Sequence, residues 1–175
     1  MYAGHVGFAL TAKGLRASLP LWVLIIASQL PDWTDATVCL AGFRSATPGM
    51  YSHSFPAIAI LTVLGVVVYL VATRDVIGSG FVAALVVSHA LGDYITGLKP
   101  TWPGGPMIGF RLYQHPQWDF VVEAVVILLG WLVYRASLPR ERRSRHDVWS
   151  LLGVLLALQG LADIVFYLSP GLRKC

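Results

Sequence analysis

From Phe55 to Ala72 the chain carries no charged residue, and at about 1.5 Å per helical residue this run covers most of a roughly 30 Å hydrocarbon core. A segment of this kind limits the chain to architectures that a bilayer accepts. The whole composition agrees, with 56% hydrophobic residues, 13% charged residues and a mean hydropathy of +0.66, well outside the soluble globular range. Val76 to Tyr94, Phe120 to Tyr134 and Val148 to Leu168 read as further spans, each interrupted by one or two polar residues. The expected fold is therefore an all-α, polytopic membrane bundle forming a single domain over residues 1–175.

The first thirty residues read as a short helical hairpin, Tyr2 to Ala17 and Leu19 to Leu30, broken at Arg16-Ala17-Ser18-Leu19-Pro20. Pro20 suits a first helical turn, where its missing N–H is not needed, and Pro31 is expected to close the second arm by disfavouring helical geometry at Leu30. The opening Met-Tyr-Ala-Gly-His has no basic region, and Lys13 and Arg16 interrupt the place of a signal core. The chain is expected to keep its N-terminus.

Loop charge orients these segments. Five arginines lie between Arg135 and Asp147, which the positive-inside rule assigns to the cytoplasm. Alternation then puts Lys13, Arg16 and Arg74 on that side, and Arg44, Lys99, Arg111, Arg173 and Lys174 outside with both termini. It also gathers His5, Asp32, Asp35, His53, His89, Asp93, His115 and Asp119 at the outer ends. Trp33, Trp102 and Trp118 would form an outer aromatic belt and Trp22, Trp131 and Trp149 an inner one.

These polar residues are where the chemistry lies. His89 and Asp93, four apart in an apolar helix, share one face and read either as metal ligands or as a hydrogen-bonded pair packing the bundle. Burying a charge at membrane depth costs about 2.5–3.5 kcal/mol on insertion scales, so either way they need partners. Asp32 and Asp35 can face one cation or lie in a solvated turn. His53 sits between Ser52 and Ser54, either of which can cap the following span. His5, taken alone, reads as a packed or snorkelling histidine more than as a ligand. Convergence on one membrane face favours a shared site. Asp119 and Glu123 form a second i, i+4 pair, with Glu123 about one turn inside the apolar region, where it can ligate a cation or serve as a proton-handling base. Asp163 is expected to pair with a neighbour.

The stretch Thr96 to Trp118, rich in proline and glycine, reads as a lid or substrate shelf. On it, Lys99 and Arg111 can hold an anionic headgroup or simply bind lipid, with Tyr113 and His115 as weaker proton donors. There is no Gly-x-Ser-x-Gly elbow and no phosphate-binding P-loop, and Gly4, Gly7 and Gly14 make only a loose small-residue face. Cys39 and Cys175 are too few and too far apart to argue a disulfide. The arginine cluster reads as a topology and anionic-lipid signal rather than a nucleic-acid patch.

With Gly4-His5, Leu30-Pro31-Asp32 and Asp35, His53-Ser54, Ser88-His89 to Asp93, and the Pro100 to Gly109 loop followed by Leu112, Tyr113, Asp119 and Glu123, most of the chain resembles one family. That family is the predicted membrane-bound metal-dependent hydrolases, also called LexA-binding, inner-membrane-associated hydrolases. The order of ligands is more distantly similar to zinc-dependent phospholipase C. Pro48 and Met50 stand where the family often has a further histidine, which leaves one or two ions as alternatives. The resemblance implies a bacterial inner-membrane hydrolase with zinc, or alternatively manganese. His5, Asp32, His53, His89 and Asp93 would hold the metal, with Glu123, Asp119 or Asp35 in catalysis and Arg111, Lys99 and Tyr113 on the substrate. The substrate would be a phosphoester or related bond of a lipid-linked molecule at the outer leaflet. A non-catalytic subunit of a membrane complex or oligomer is the alternative. Ion transport is disfavoured because the polar residues crowd one face.

Overall fold

A computed structural model describes residues 3–43 and 47–169; Tyr2, Arg44, Arg173, Lys174 and Cys175 lie outside the described residues. The chain is a helical bundle, in the order α1 (Gly4–Leu15), α2 (Leu21–Leu40), α3 (Met50–His53), α4 (Phe55–Thr73), α5 (Val76–Thr96), α6 (Pro116–Ser137), α7 (Arg140–Arg143) and α8 (His146–Leu168). α4, α5, α6 and α8 are long and apolar enough to cross a membrane. Each follows its expected run closely, with capping chemistry setting the start. Ser54 accepts the Ala57 amide at 3.4 Å ahead of α4, and Asp75 accepts the Gly78 amide at 2.9 Å ahead of α5.

The second arm of the hairpin departs from expectation. Pro31 does not end α2, which runs on to Leu40 with the proline inside it. A proline removes one ladder hydrogen bond and crowds the preceding turn, but it does not forbid a helix whose following residues find other partners. The Thr34 and Thr37 hydroxyls donate to the Leu30 and Trp33 carbonyls and support the turns after it. Asp32 and Asp35 therefore project from a helix and not from a loop.

α1 crosses α6 closely, because a Cβ on Gly7 would stand 2.6 Å from the Val126 carbonyl oxygen and one on Gly14 would stand 2.8 Å from Val133. A Cβ on Gly130 would run into the Gly7 backbone. The small-residue face is thus the tightest helix crossing, as expected where packing rather than hydrophobicity joins helices in lipid. Leu10, Ile127, Trp131, Val148 and Leu155 fill the interior between α1, α6 and α8. Trp131 is 2% exposed and its Nε1–H donates to the Val148 carbonyl at 2.7 Å, so it is a core residue and not part of a belt. Burial leaves its N–H no water, and the α8 carbonyl supplies the partner. Trp22, Trp33, Trp102, Trp118 and Trp149 are exposed. α4 turns most of its surface outward, including Val63, Val67 and Val71.

Antiparallel packing separates the polar ends. At one end Arg16 Nη2 meets Asp75 Oδ1 at 2.9 Å, joining the end of α1 to the start of α5, and Arg135 caps α7 by donating to the Arg143 carbonyl at 3.0 Å. The starts of α1 and α6 and the ends of α5 and α8 gather at the other end, where His5, His53, His89 and the buried carboxylates lie.

Candidate metal centre

Asp32 from α2, His53 from α3, and His89 and Asp93 from α5 bring four ligand atoms together within 4.8 Å of one another. The one-turn spacing of His89 and Asp93 aims both at the same point. His53 Nε2 lies 3.2 Å from Asp32 Oδ1, 2.9 Å from Asp93 Oδ2 and 3.3 Å from His89 Nε2. His89 Nε2 lies 3.5 Å from Asp32 Oδ1 and 3.6 Å from Asp93 Oδ2. Ligands held about 2.0–2.1 Å from a zinc ion at tetrahedral angles stand about 3.3 Å apart, so these distances frame a cage of that size.

Proton accounting points the same way. His89 Nδ1 lies 2.7 Å from the Ser28 carbonyl, which can only accept, so Nδ1 carries a hydrogen, and Nε2 is the nitrogen left to ligate a metal when the ring is neutral. His53 Nδ1 lies 2.7 Å from Ser52 Oγ, whose own hydrogen goes to Asp35 Oδ1 at 2.8 Å. With Nδ1 donating to that hydroxyl, a neutral His53 likewise has Nε2 free to ligate a metal. Two imidazole nitrogens and two carboxylates then converge as acceptors, and a cation is what such a group binds.

Burial makes the arrangement costly without that partner. His53, His89 and Asp93 are each at most 1% exposed, while the Asp32 side chain is 35% exposed and marks the side on which the cluster opens. Lys99 Nζ lies 2.7 Å from Asp93 Oδ2 and supplies one positive charge. His5 stands one carboxylate away from the cage. Its Nε2 is 3.2 Å from Asp93 Oδ1, and its ring stacks on His89 with centroids 3.7 Å apart.

Asp119 and Glu123 are brought to a neighbouring polar group and not into the cage. Glu123 Oε2 accepts the Gly4 amide at 3.0 Å, and Gln159 Oε1 accepts the Ala3 amide at 3.0 Å. These are unpaired amides at the positive end of α1, so a buried carboxylate from α6 and a carboxamide from α8 cap that helix. Gln159 Nε2 also donates to Asp163 Oδ1 at 3.0 Å, which gives Asp163 its neighbour, and Asp163 faces Asp119. Asp35 reaches the cage only through Ser52.

The expected lid is an ordered hairpin. Strands β1 (Lys99–Pro100) and β2 (Met107–Ile108) pair antiparallel, and a 3-10 turn at Leu112–Gln114 follows. The Tyr94 hydroxyl donates to the Pro100 carbonyl at 3.0 Å and reaches the His53 carbonyl at 3.3 Å, while the Phe55 amide donates to the Thr101 carbonyl at 2.9 Å. These bonds hold Lys99 over Asp93. Arg111 and His115 are exposed, and Tyr113 packs its ring toward Gly97, next to the Asp93 carbonyl and the Lys99 side chain; none of the three is among the four cage residues.

No protein-family model, curated protein or solved structure matches the chain. Three contributors escape sequence reasoning. Ser28 acts through its carbonyl, which no side-chain pattern reports. Ser52 was legible only as a helix cap, and Gln159 as the lone carboxamide one turn before Asp163, a signal that was present in the apolar α8.

Proposed function

We propose that the protein is a membrane-embedded metallohydrolase, of the membrane-bound metal-dependent hydrolase type that its motifs resemble. Asp32, His53, His89 and Asp93 hold a zinc ion, and the substrate is a phosphoester or related bond of a lipid-linked molecule at the outer leaflet of a bacterial cytoplasmic membrane. The observation that carries the reading is the convergence of two imidazole lone pairs and two carboxylates in a buried cage of zinc dimensions. When bound, zinc polarises a phosphoryl oxygen and makes water acidic enough to act as a nucleophile near neutral pH. Asp35 and Ser52 orient His53, and the Ser28 carbonyl orients His89. Lys99 holds an anionic headgroup beside the cage, and His5, in contact with Asp93, carries the proton. The arginine-rich connection at the opposite end of the helices supports the outer location.

One observation favours a second reading, a structural centre in a non-catalytic subunit. Four protein ligand atoms are enough to fill a tetrahedral shell, as in structural zinc sites, whereas catalytic sites keep one position open. The exposed Asp32 side chain argues for the first reading, because a ligand at the cluster's open side can give way to substrate.

The test is release of phosphate or headgroup from lipid phosphoesters in mixed micelles by zinc-loaded protein, beside Asp32→Ala. Turnover in the wild type that the variant loses is expected. Stoichiometric zinc with no turnover across the lipid phosphoester classes, and a lower thermal midpoint after chelation, would instead establish the structural reading.

A further inference from the structure

The seam between α1 and α5 is open to the bilayer along a groove of about 180 Å³. Phe8, Thr11 and Leu15 line one side and Phe81, Ala84 and Ser88 the other. Its two hydroxyls do not make it polar. Thr11 Oγ1 donates to the Gly7 carbonyl at 3.0 Å and Ser88 Oγ to the Leu85 carbonyl at 2.9 Å, so each satisfies itself on its own helix and leaves methyl, methylene and ring atoms facing the groove. The surface that the groove presents is almost wholly apolar.

Its direction is the informative part. Residues 8, 12 and 15 continue the helical face that begins at His5, and residues 81, 84, 85 and 88 lead up to His89. The groove therefore ends under the stacked His5–His89 pair, and the His5 ring lies 6.5 Å from the Phe8 ring. From Phe8 to Leu15 it is about 10 Å long at helical rise. Its far end is toward Lys13 and Arg16, at the opposite end of α1.

We propose that this groove binds one hydrocarbon chain of a phosphate-bearing membrane lipid whose headgroup sits at the His–Asp cage. The inference deepens the hydrolase reading and rests on it for the position of the headgroup. The chain lies along an apolar seam that ends beneath His5 and the cage residue His89, and the phosphate meets the Lys99 ammonium and the cation that the cage would hold. The occupant enters sideways from the bilayer, since Ala84 and Leu15 are exposed on that side. Substrate selection then depends on an apolar chain as well as on the headgroup.

Photo-crosslinking of the full chain in nanodiscs tests this directly. The probe is phosphatidic acid with a diazirine midway along one acyl chain, run beside diacylglycerol bearing the same chain, with adducts mapped by peptide mass spectrometry. The expected result is several-fold more phosphatidic-acid adduct on segments 8–15 and 81–88 than on the outward face of α4 at Val63, Val67 and Val71. Ala84→Trp, which fills the groove from an exposed position, should reduce groove labelling to the α4 level with metal content unchanged, and diacylglycerol should label the groove less. Equal labelling of groove and α4 would overturn the proposal, as would labelling indifferent to Ala84→Trp. Equal groove labelling by both lipids would overturn the placement of the headgroup. Bound zinc with no groove preference would sink this inference alone, whereas groove preference in a protein that binds no metal would sink the hydrolase reading and leave the chain site standing.

Discussion

His89 Nδ1 and the carbonyl oxygen of Ser28 lie 2.7 Å apart, and this contact between α5 and α2 fixes which nitrogen of His89 faces the cage. Ser28 is three residues before Pro31, whose missing N–H leaves the Ala27 carbonyl without its ladder donor and loosens the turn that also carries Ser28. Pro31 thus serves the site from within a helix. Pro31→Ala should return a ladder bond to the Ala27 carbonyl, tighten the turn that carries both Ser28 and Asp32, and lower metal affinity on the order of 10–100-fold, the usual effect of disturbing a group that orients a ligand. Competitive chelator titration measures it; an unchanged affinity would show that Ser28 does not depend on the proline.

Ser52 relays Asp35 to His53, with steps of 2.8 and 2.7 Å. Ser52→Ala should weaken zinc binding by about 10–100-fold while leaving full stoichiometry at saturating metal, since no ligand is lost. Asp35→Asn should do the same. Loss of stoichiometry in Asp35→Asn would make Asp35 a ligand.

Lys99 is a substrate-facing charge in this account. Lys99→Met should retain metal and lose turnover of lipid phosphoesters by about 10²-fold or more, comparable to removing one electrostatic donor from an active site. Equal turnover in the variant would confine Lys99 to neutralising Asp93.

The α1–α6 crossing makes a prediction independent of metal. Gly130→Val puts a side chain into the Gly7 backbone and should destabilise the protein by about 1–3 kcal/mol or more, whereas Gly153→Ala, with open space around it, should not. Thermal midpoints in detergent decide between them. A tolerated Gly130→Val would mean that the helices cross elsewhere.

Asp75 lies at the far end of the bundle. The Gly78 amide first, and then the Arg16 guanidinium, hold its carboxyl below the usual carboxylate value. A group lowered in the folded state stabilises the fold above its unfolded value of about 4, and that contribution fades as pH falls through the folded value. The thermal midpoint of the wild type should therefore drop more on acidification than that of Asp75→Asn, which keeps the cap acceptor without the titration. Parallel acid limbs in the two proteins would contradict this.

Much of the bundle is legible in the chain because lipid leaves few options. An apolar run such as Phe55 to Ala72 specifies its own helix, and α4 ends one residue beyond it, at Thr73. The His89–Asp93 pair is legible for the same reason, since helical spacing alone aligns it. What sequence does not report is whatever depends on a second element. Pro31 is expected to end its helix by local geometry, but hydroxyls in the following turns and packing against α5 carry α2 through to Leu40. Glu123 looks like a catalytic acid in isolation, whereas in three dimensions it meets the orphan amide of Gly4. The Lys99–Ile108 pairing of the hairpin likewise has no signature in a stretch punctuated by proline and glycine.

The cage itself is tested most directly by elemental analysis of detergent-purified protein prepared without any affinity-tag metal, wild type beside His89→Ala and Asp93→Ala. The account predicts about one zinc per chain in the wild type and little in either variant, with both variants still helical by circular dichroism. A folded wild type that takes up no metal when zinc or manganese is resupplied would contradict it, and would leave the four acceptors as a polar network held by Lys99.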